Sequence, residues 1–508
     1  MVTLDEIANA GLLQKPSGTV PKVLERSESQ YKPLTSFNLG KDLQYQQQFA
    51  DIYFLRLTKI KPAVEEIASV AWDGTIIGGE TAKKVERVLD VRQGELCWVT
   101  GTVYMDMALK PNILEDVSKD RWISAPSVDR YYSEDGKDSV MLEDDSGRIQ
   151  LVGDVLKHFF MVTGCIIAVM GTENANGEFD VIDVKFADLA PQPGRWELSK
   201  PPAPVPKPAK KGRRVKDEDE DVEMADSPSS KPGTKIAIVS GLEFSGVDTS
   251  YAMELNLLLE FLLGEALDPA AQKEMAQISR LIIAGNSIAA ERKGFGESTG
   301  GDKKSGKKYG YDSSTYNPLP SQLLDGFLSE LLPTIPITLL PGVLDPANAS
   351  YPQQPIHAAM FPKSRSYVAM PGATEPGWLD TVTNPWEGEI EGWRVLGTGG
   401  QNLDDVFKYV DSDDRLGMME AMCRWRCSAP TAPDTLWAYP FQDDEPFVMK
   451  ECPHLYFVGC QPEFGTKVIQ GPDGQMVRLI AVPSFSATRE LVLVDSETLD
   501  VTRIKIAV

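Results

Sequence analysis

The side chains best suited to hold a metal or attack a bond are few: three histidines, His158, His357 and His454, and six cysteines, Cys97, Cys165, Cys423, Cys427, Cys452 and Cys460. A pair of divalent cations that hydrolyses a phosphodiester needs several carboxylates and imidazoles converging on one point, so that one ion activates water while both neutralise the phosphate oxygens. Three histidines spread over 508 residues do not supply that set. A structural zinc site needs paired short spacings, and Cys423-x3-Cys427 followed by Cys452 and Cys460 lacks them. The thiols therefore read as reduced and buried, and His357 and His454 as packed or hydrogen-bonded loop residues. The run Gly294-Phe-Gly-Glu-Ser-Thr-Gly300 misplaces the third glycine of a dinucleotide fingerprint, and no Gly-Lys-Ser or Gly-Lys-Thr follows it. It reads as a loop. Asp404-Asp405 and the cluster Asp411, Asp413 and Asp414 offer carboxylates for acid–base work, but such runs are usually solvated helix ends or loops.

The elements that would position these residues fall into distinct segments. From Ser199 to Thr234 the chain is rich in proline, with a basic block and then an acidic one and almost nothing to bury, which is the composition of a linker. Its run from Lys207 to Lys216 fits a nuclear import signal, and Ser227-Pro228 a phosphorylation site. Before the linker, residues 41–72 carry apolar side chains at helical spacing interrupted at Pro62, which predicts two helices within an N-terminal helical region, 1–80. From about Gly94 to Leu189 the pattern turns to period two, with short strands around turns such as Asp145-Ser146-Gly147 and a small helix near Val155 to Phe160. This predicts a small Greek-key barrel of the OB type over 81–198. After the linker, strands at Lys235–Ser240, Arg280–Ala284 and Ile335–Leu340 alternate with helices around Leu255–Leu262 and Leu323–Leu332. That alternation predicts a parallel sheet covered by helices, with a second sheet from the later strands, over 235–508. A Gly, Ser and Lys-rich insertion occupies 291–316.

Composition sets the outer limits. With 42% hydrophobic and 25% charged residues the chain suits several globular domains and excludes collagen-like, wholly disordered and miniature disulfide classes. The N-terminus lacks a basic leader with an apolar run, and no segment reaches eighteen uninterrupted apolar residues, so a soluble intracellular protein is expected, with no membrane partner. The net charge of −23 is the wrong sign for holding nucleic acid through phosphate contacts. The linker carries a net +1 and the insertion +2, leaving −26 on the remaining segments, so the acid sits on the folded parts.

The stretches IVSGLEFSG, LIIAGNSI, LLPGVLDPANASYPQQPIHAAMFP, TNPWEGEIEGWRVLGTGGQNLDDVFKY, APDTLWAYPF and CPHLYFVGCQPEFGTKV closely resemble the B-subunit family of eukaryotic replicative DNA polymerases. The last of them, continuing into VRLIAVPSFSATRELVLVD, is most similar to that family's delta branch, and the resemblance spans most of the chain outside the linker and the insertion. It implies an α/β plus all-β chain, in which an OB-fold barrel accompanies a calcineurin-like phosphodiesterase domain, a two-layered sheet core flanked by helices that has lost activity in the eukaryotic members. An active relative would carry Asp-x-His after the first strand, where this chain has Ser240-Gly241-Leu242; Gly-Asp after the second, where it has Gly285-Asn286. Gly-Asn-His-Asp would become Gly342-Val343-Leu344-Asp345, and Gly-His-x-His would become Gly459-Cys460-Gln461-Pro462. Of the ligands implied, only Asp345 survives, so no catalytic residue, metal or cofactor is expected. Asp345, which precedes Pro346, also reads as a turn or capping acid.

The resemblance further implies a non-catalytic nuclear subunit in DNA replication. Its implied partners are the C-terminal cysteine-rich domain of a catalytic polymerase subunit, a third, elongated subunit, and the catalytic subunit of the translesion polymerase zeta. Two rival readings remain: a metal-dependent phosphodiesterase or nuclease, and a single-strand-binding barrel in which Trp98, Tyr104, Trp122, Tyr131 and Tyr132 would stack bases. The acidic character of the barrel segment favours core and interface roles for those rings over strong direct nucleic-acid binding.

Overall fold

The structure, a computed structural model, describes residues 24–40, 43–44, 49–111, 129–133, 137–201, 233–265, 269–289, 317–370, 372–373 and 375–507. Lys207 to Lys216, Ser227, Trp122, the Gly294 to Gly300 run and the rest of the 291–316 insertion lie outside the described residues.

Strand β1 (Tyr31–Pro33) opens the described chain, and helix α1 (Ala50–Trp72) follows. Two helices broken at Pro62 were expected; a single helix of 23 residues runs through the proline. Its buried residues, Ile52, Arg56, Ile60, Val64, Ala68 and Trp72, recur at every fourth position and form one stripe. Pro62 and Thr58, whose carbonyl loses its amide partner, both lie on the exposed side of the helix, away from the core. Packing of the stripe outweighs a break that costs about 3 kcal/mol.

After α1 come a two-rung hairpin, β2 (Ile76–Ile77) and β3 (Glu80–Thr81), and the short β4 (Lys83–Lys84). The barrel proper is β5 (Cys97–Asp106), β6 (Ser139–Glu143), β7 (Arg148–Val152), β8 (Ile166–Glu173) and β9 (Glu178–Lys185). They pair in the order β5-β6-β7-β9-β8, and β8 pairs back onto β5, so the ring closes and its members have no free edge. A 3-10 turn over Asp154–His158 stands where the small helix was expected. The α1 stripe packs on the barrel wall: Ile60, Val64, Ala68 and Trp72 share a core with Trp98, Ile166, Ala168 and Met170. Helix α1 thus packs with the barrel, whereas β1 pairs with β14 of the second part, so the described residues of the 1–80 segment are divided between the two parts.

The second part is a two-sheet sandwich. Strands β10 (Lys235–Val239), β11 (Ile278–Ala284), β12 (Ile337–Leu340) and β13 (Leu379–Thr381) are parallel, linked by α2 (Ala252–Leu263), α3 (Pro269–Met275) and α4 (Leu319–Leu331). Next come β14 (Trp386–Ile390), β15 (Trp393–Thr398), α5 (Gln401–Tyr409), α6 (Arg415–Arg424), β16 (Leu455–Gln461), β17 (Gly465–Gln470) and β18 (Met476–Pro483). The short α7 (Phe485–Thr488), β19 (Glu490–Asp495) and β20 (Val501–Lys505) end the chain. One sheet has the order β13-β12-β11-β10-β19-β20 and the other β1-β14-β15-β16-β18-β17. On β10, Ile236 and Ile238 face the partner sheet while Ala237 and Val239 face α2 and α4. Burial on both faces explains why KIAIV reads as a continuous apolar run.

The outer face of the second sheet shares its core with the barrel: Tyr456, Val458 and Leu479 join Met418 and Met422 of α6 and Val99, Ile167 and Phe179 of the barrel in one cluster. Arg56 reaches across to the carbonyls of Pro430, 2.5 Å, and Ala432, 2.8 Å. From the other side Arg426 donates to the carbonyls of Ala187, Asp188 and Leu189 at the end of the barrel segment. Among the described residues no helix is long and apolar enough to cross a membrane.

Candidate functional site

Parallel strands deliver their C-terminal loops to one side, and here both sheets deliver theirs to the same place. A Cβ built on Gly285, after β11, would lie 2.9 Å from the Cα of Gly399, after β15, and 3.2 Å from that of Gly342, after β12. A Cβ on Gly459, near the C-terminal end of β16, would collide with the carbonyl oxygen of Ala284. Three non-glycine residues at the C-terminal ends of these sheets are held in the left-handed region: Glu243 (φ 47°) after β10, Asn286 (φ 48°) after β11 and Cys460 (φ 54°) near the end of β16. Strained backbone concentrated on one loop cluster is a mark of functional geometry.

Of the eight positions singled out in the sequence, Ser240 meets Cys460, Asn286 meets Leu344, and Asp345 lies beside both loops, but these groups are taken up by the chain's own backbone. Ser240 is fully buried; its Oγ bonds the carbonyl of Pro483 at 3.0 Å and accepts from the Cys460 amide at 2.8 Å. Leu242 is buried among the helices. Asn286 Oδ1 accepts from the Leu344 amide at 3.1 Å. Val343 and Pro462 point to solvent, and Leu344 is half-buried. Cys460 is half-buried with Sγ 3.6 Å from the Ala284 carbonyl, and burial, reinforced by Asp345, Asp404 and Glu243, pushes its thiol well above the ordinary range. Asp345 is buried with both oxygens engaged: Oδ2 accepts from the amides of Gly342 (2.8 Å) and Ser287 (3.2 Å), and Oδ1 from that of Ile288 (2.9 Å). Burial pushes its carboxyl up to about 6 in spite of these donors, which pull the other way.

The sequence reading missed what fills the space between the loops, a network of neutral amides. Gln353 Oε1 accepts from Asn384 Nδ2 (3.0 Å) and from Gln401 Nε2 (2.8 Å), and Gln353 Nε2 donates to the Gly342 carbonyl (3.0 Å). Asn384 Oδ1 accepts from the Gly399 amide (2.9 Å), and Gln461, wholly buried, accepts from Arg415 (2.7 Å), which also pairs with Asp404 (2.6 Å). Their signal was the repeated amide in YPQQP, TNPW, GGQN and GCQP, which no catalytic pattern draws out.

The remaining candidates lie elsewhere. His454 precedes β16, at the far end of that strand from Cys460; it is buried, its Nδ1 accepts from the Arg394 amide and its ring packs on Trp393. His357 Nδ1 accepts from the Ala359 amide at the start of a 3-10 turn, and His158 is exposed on the barrel. Asp405, expected to be solvated, is buried; its carboxylate accepts from Thr435 at 2.5 Å and burial raises its pKa. Asp414 caps α6 by accepting from the Gly417 amide. No group of three or more His, Cys, Asp and Glu able to hold a metal occurs among the described residues. On the barrel, Trp98 packs on Trp72 (5.9 Å) and Tyr131 edge-on against Tyr409 of α5 (5.2 Å). Tyr104 lies under Lys110 and Arg148, cations already paired with Asp434 and Glu143.

Two family models match in tandem: the DNA polymerase delta subunit OB-fold domain over residues 48–184, and the DNA polymerase alpha/epsilon B subunit over 236–466. The chain is 32% identical to a DNA polymerase delta small subunit of Saccharomyces cerevisiae, over 92% of this chain and 91% of the relative. It is 33% identical to a protein of the same name from Arabidopsis thaliana, over 94% and 96%. The chain belongs to the DNA polymerase delta small-subunit family. A further relative, DNA polymerase delta subunit 2 of Drosophila melanogaster, is 29% identical over 94% of this chain and 97% of its own. The OB-fold match of this small-subunit chain takes in α1, in keeping with its packing on the barrel, and the second match runs from β10 into β17, across most of the cleft loops.

Proposed function

We propose that this chain is the non-catalytic scaffold of a delta-type replicative polymerase, joining the C-terminal cysteine-rich domain of the catalytic subunit to a third subunit. The same platform serves the catalytic subunit of polymerase zeta in translesion synthesis, and the protein works in the nucleus. The observation that carries this reading is the single hydrophobic cluster shared by barrel and sandwich, which makes two folded parts into one rigid body suited to holding partners at a fixed separation.

The cleft supports the same reading. The sandwich is a calcineurin-like phosphodiesterase domain whose loops have lost their metal ligands. Two divalent cations need free anionic or imidazole donors, whereas the one carboxylate among the eight positions has both oxygens engaged by backbone amides. That donor set does not fit a metal pair, and no hydrolytic step is derived through one. The mouth of the cleft and the junction with the barrel are the docking faces.

Pull-down of the catalytic subunit's terminal domain by the full chain tests this. Val343→Glu at the cleft mouth and Trp437→Glu beside the junction change exposed side chains, 65% and 64% accessible, so the fold is kept. At least one of them is expected to reduce co-purification by about tenfold or more. Unchanged recovery with both overturns the assignment of these faces.

A further inference from the structure

Helix α1 carries two apolar stripes. The one from Ile52 to Trp72 is buried; the other, Ala50, Tyr53, Phe54 and Leu57 at i, i+3, i+4 and i+7, makes one wall of a pocket of about 390 Å³. The facing wall comes from β5, where period two puts Trp98, Thr100, Thr102 and Tyr104 on one face of the strand. Trp98 packs with the second half of α1, whereas Thr102 and Tyr104 line the pocket. Asp434, from the loop between α6 and β16, closes a third side. The volume lies in the range of small-ligand sites, which are mostly apolar with a few convergent polar groups.

The charges in these walls are already met by the chain. Glu143 pairs with Arg148, Asp434 pairs with Lys110 at 2.8 Å, and Asp144 accepts from the amides of Val88, Ser146 and Gly147. Lys110 and Arg148 also cover the Tyr104 ring, 4.3 and 4.9 Å from its centre. Thr163 accepts from the Met105 amide at 3.1 Å. Two hydroxyls are left over. Thr102 is only 7% exposed and Tyr53 is half-buried; both line the pocket, and neither makes a hydrogen bond among the described residues. Hydroxyls withdrawn from bulk water without a partner are costly, and a bound molecule can supply the missing bond. With three carboxylates and one guanidinium in the walls, an anion is repelled, while a cation finds each carboxylate engaged.

From these walls and these two hydroxyls we infer that the pocket binds an uncharged aromatic molecule of one or two fused rings with a hydrogen-bonding group on its edge. The ring packs on Phe54 and Leu57, and its edge meets Thr102 and Tyr53. The site is separate from the cleft and does not rest on the scaffold reading.

The test is saturation-transfer NMR of the full chain with indole as the probe, beside 1-methylindole, which lacks the N–H donor, and two charged twins, indole-3-propionate and tryptamine. Indole is expected to bind saturably at roughly 0.1–1 mM. 1-Methylindole is expected to be about fivefold weaker, the propionate about tenfold weaker or more, and tryptamine no tighter than indole. Phe54→Ala, at a side chain 53% exposed, is expected to weaken indole by about fivefold or more. Thr102→Val/Tyr53→Phe should leave 1-methylindole unchanged and bring indole to within about twofold of it. Neither variant removes a hydrogen bond within the chain, so unchanged melting separates lost contact from lost fold. Absence of saturable indole binding below about 10 mM, tighter binding of either charged twin, or binding indifferent to both variants overturns the proposal.

Discussion

Arg56 and Glu445 form an ion pair, Nη2 to Oε1 at 3.2 Å, with neither side chain exposed to solvent. The arginine rides on α1 with the barrel; the glutamate belongs to the loop that leads towards β16 in the sandwich. Arg56→Met leaves a carboxylate buried without its cation, and burial already pushes Glu445 upward against the pull of Arg56. It also orphans the carbonyls of Pro430 and Ala432. A loss of about 3–5 kcal/mol is expected in urea denaturation, and Arg56→Met/Glu445→Leu should recover part of it because no lone charge remains. Wild-type stability of Arg56→Met would show that the pair contributes nothing.

Pro62 tests the account of α1 in the opposite direction. Pro62→Ala restores the amide that Thr58 lacks, at an exposed position where the proline ring packs on nothing essential. A gain of about 1–3 kcal/mol, read as a higher melting temperature, is expected. A loss would mean that the bend imposed by the proline matters to the fit of the stripe.

Two glycines separate conformational strain from lack of room. Gly459→Ala would thrust a methyl into Ala284 where the sheets meet, and is expected to cost more than about 2 kcal/mol. Gly474→Ala, in the β17–β18 turn, has a φ of +83° but nothing within 4 Å, so about 1 kcal/mol is expected. Chemical denaturation of the two variants side by side gives the order; the reverse order would refute the close approach of β11 and β16.

The Asp345 carboxyl titrates near pH 6 in the folded chain and near 4 when unfolded. Because the folded value is the higher one, its contribution is fully present below about pH 4 and is lost as pH rises through about 6. The melting temperature of wild type minus that of Asp345→Asn should therefore be more positive at about pH 4.5 than at about pH 7.5, by the equivalent of about 2–3 kcal/mol at most. An opposite slope would mean that the backbone donors outweigh burial.

Manganese offers a direct check on the cleft. Each ion of a metal pair bound at about 10 μM affinity would stabilise the chain by about 2.7 kcal/mol at about 1 mM manganese. No such rise in melting temperature is expected, nor hydrolysis of a phosphodiester substrate. Either one would overturn the non-catalytic reading.

Much of the architecture was legible in the sequence because period and composition change where the elements change. KIAIV, RLIIA and the strands near 455, 476 and 490 stand where their apolar runs put them, and the barrel follows its alternation. Pro62 misled because local propensity says nothing about a stripe of six buried residues on the far side of the helix. β1 was out of reach for a similar reason: YKP is unremarkable until it pairs with β14. In the cleft, motif wording drew eight positions out of the sequence, but it did not draw out the amide network. Gln353, Asn384, Gln401 and Gln461 lie far apart in the chain, and nothing about an isolated amide says that it has partners. Asp405 looked like part of a solvated run until Thr435 and Tyr131 closed over it.

The core shared by barrel and sandwich makes the covalent connection between them dispensable once the protein has folded. The cluster spans both parts, and the arginines at positions 56 and 426 clasp it from opposite sides. A chain cut anywhere between Pro201 and Gly233 would remain a single particle, and the two halves made as separate polypeptides would find each other again. In that respect this one protein is built as a heterodimer whose members happen to be translated together.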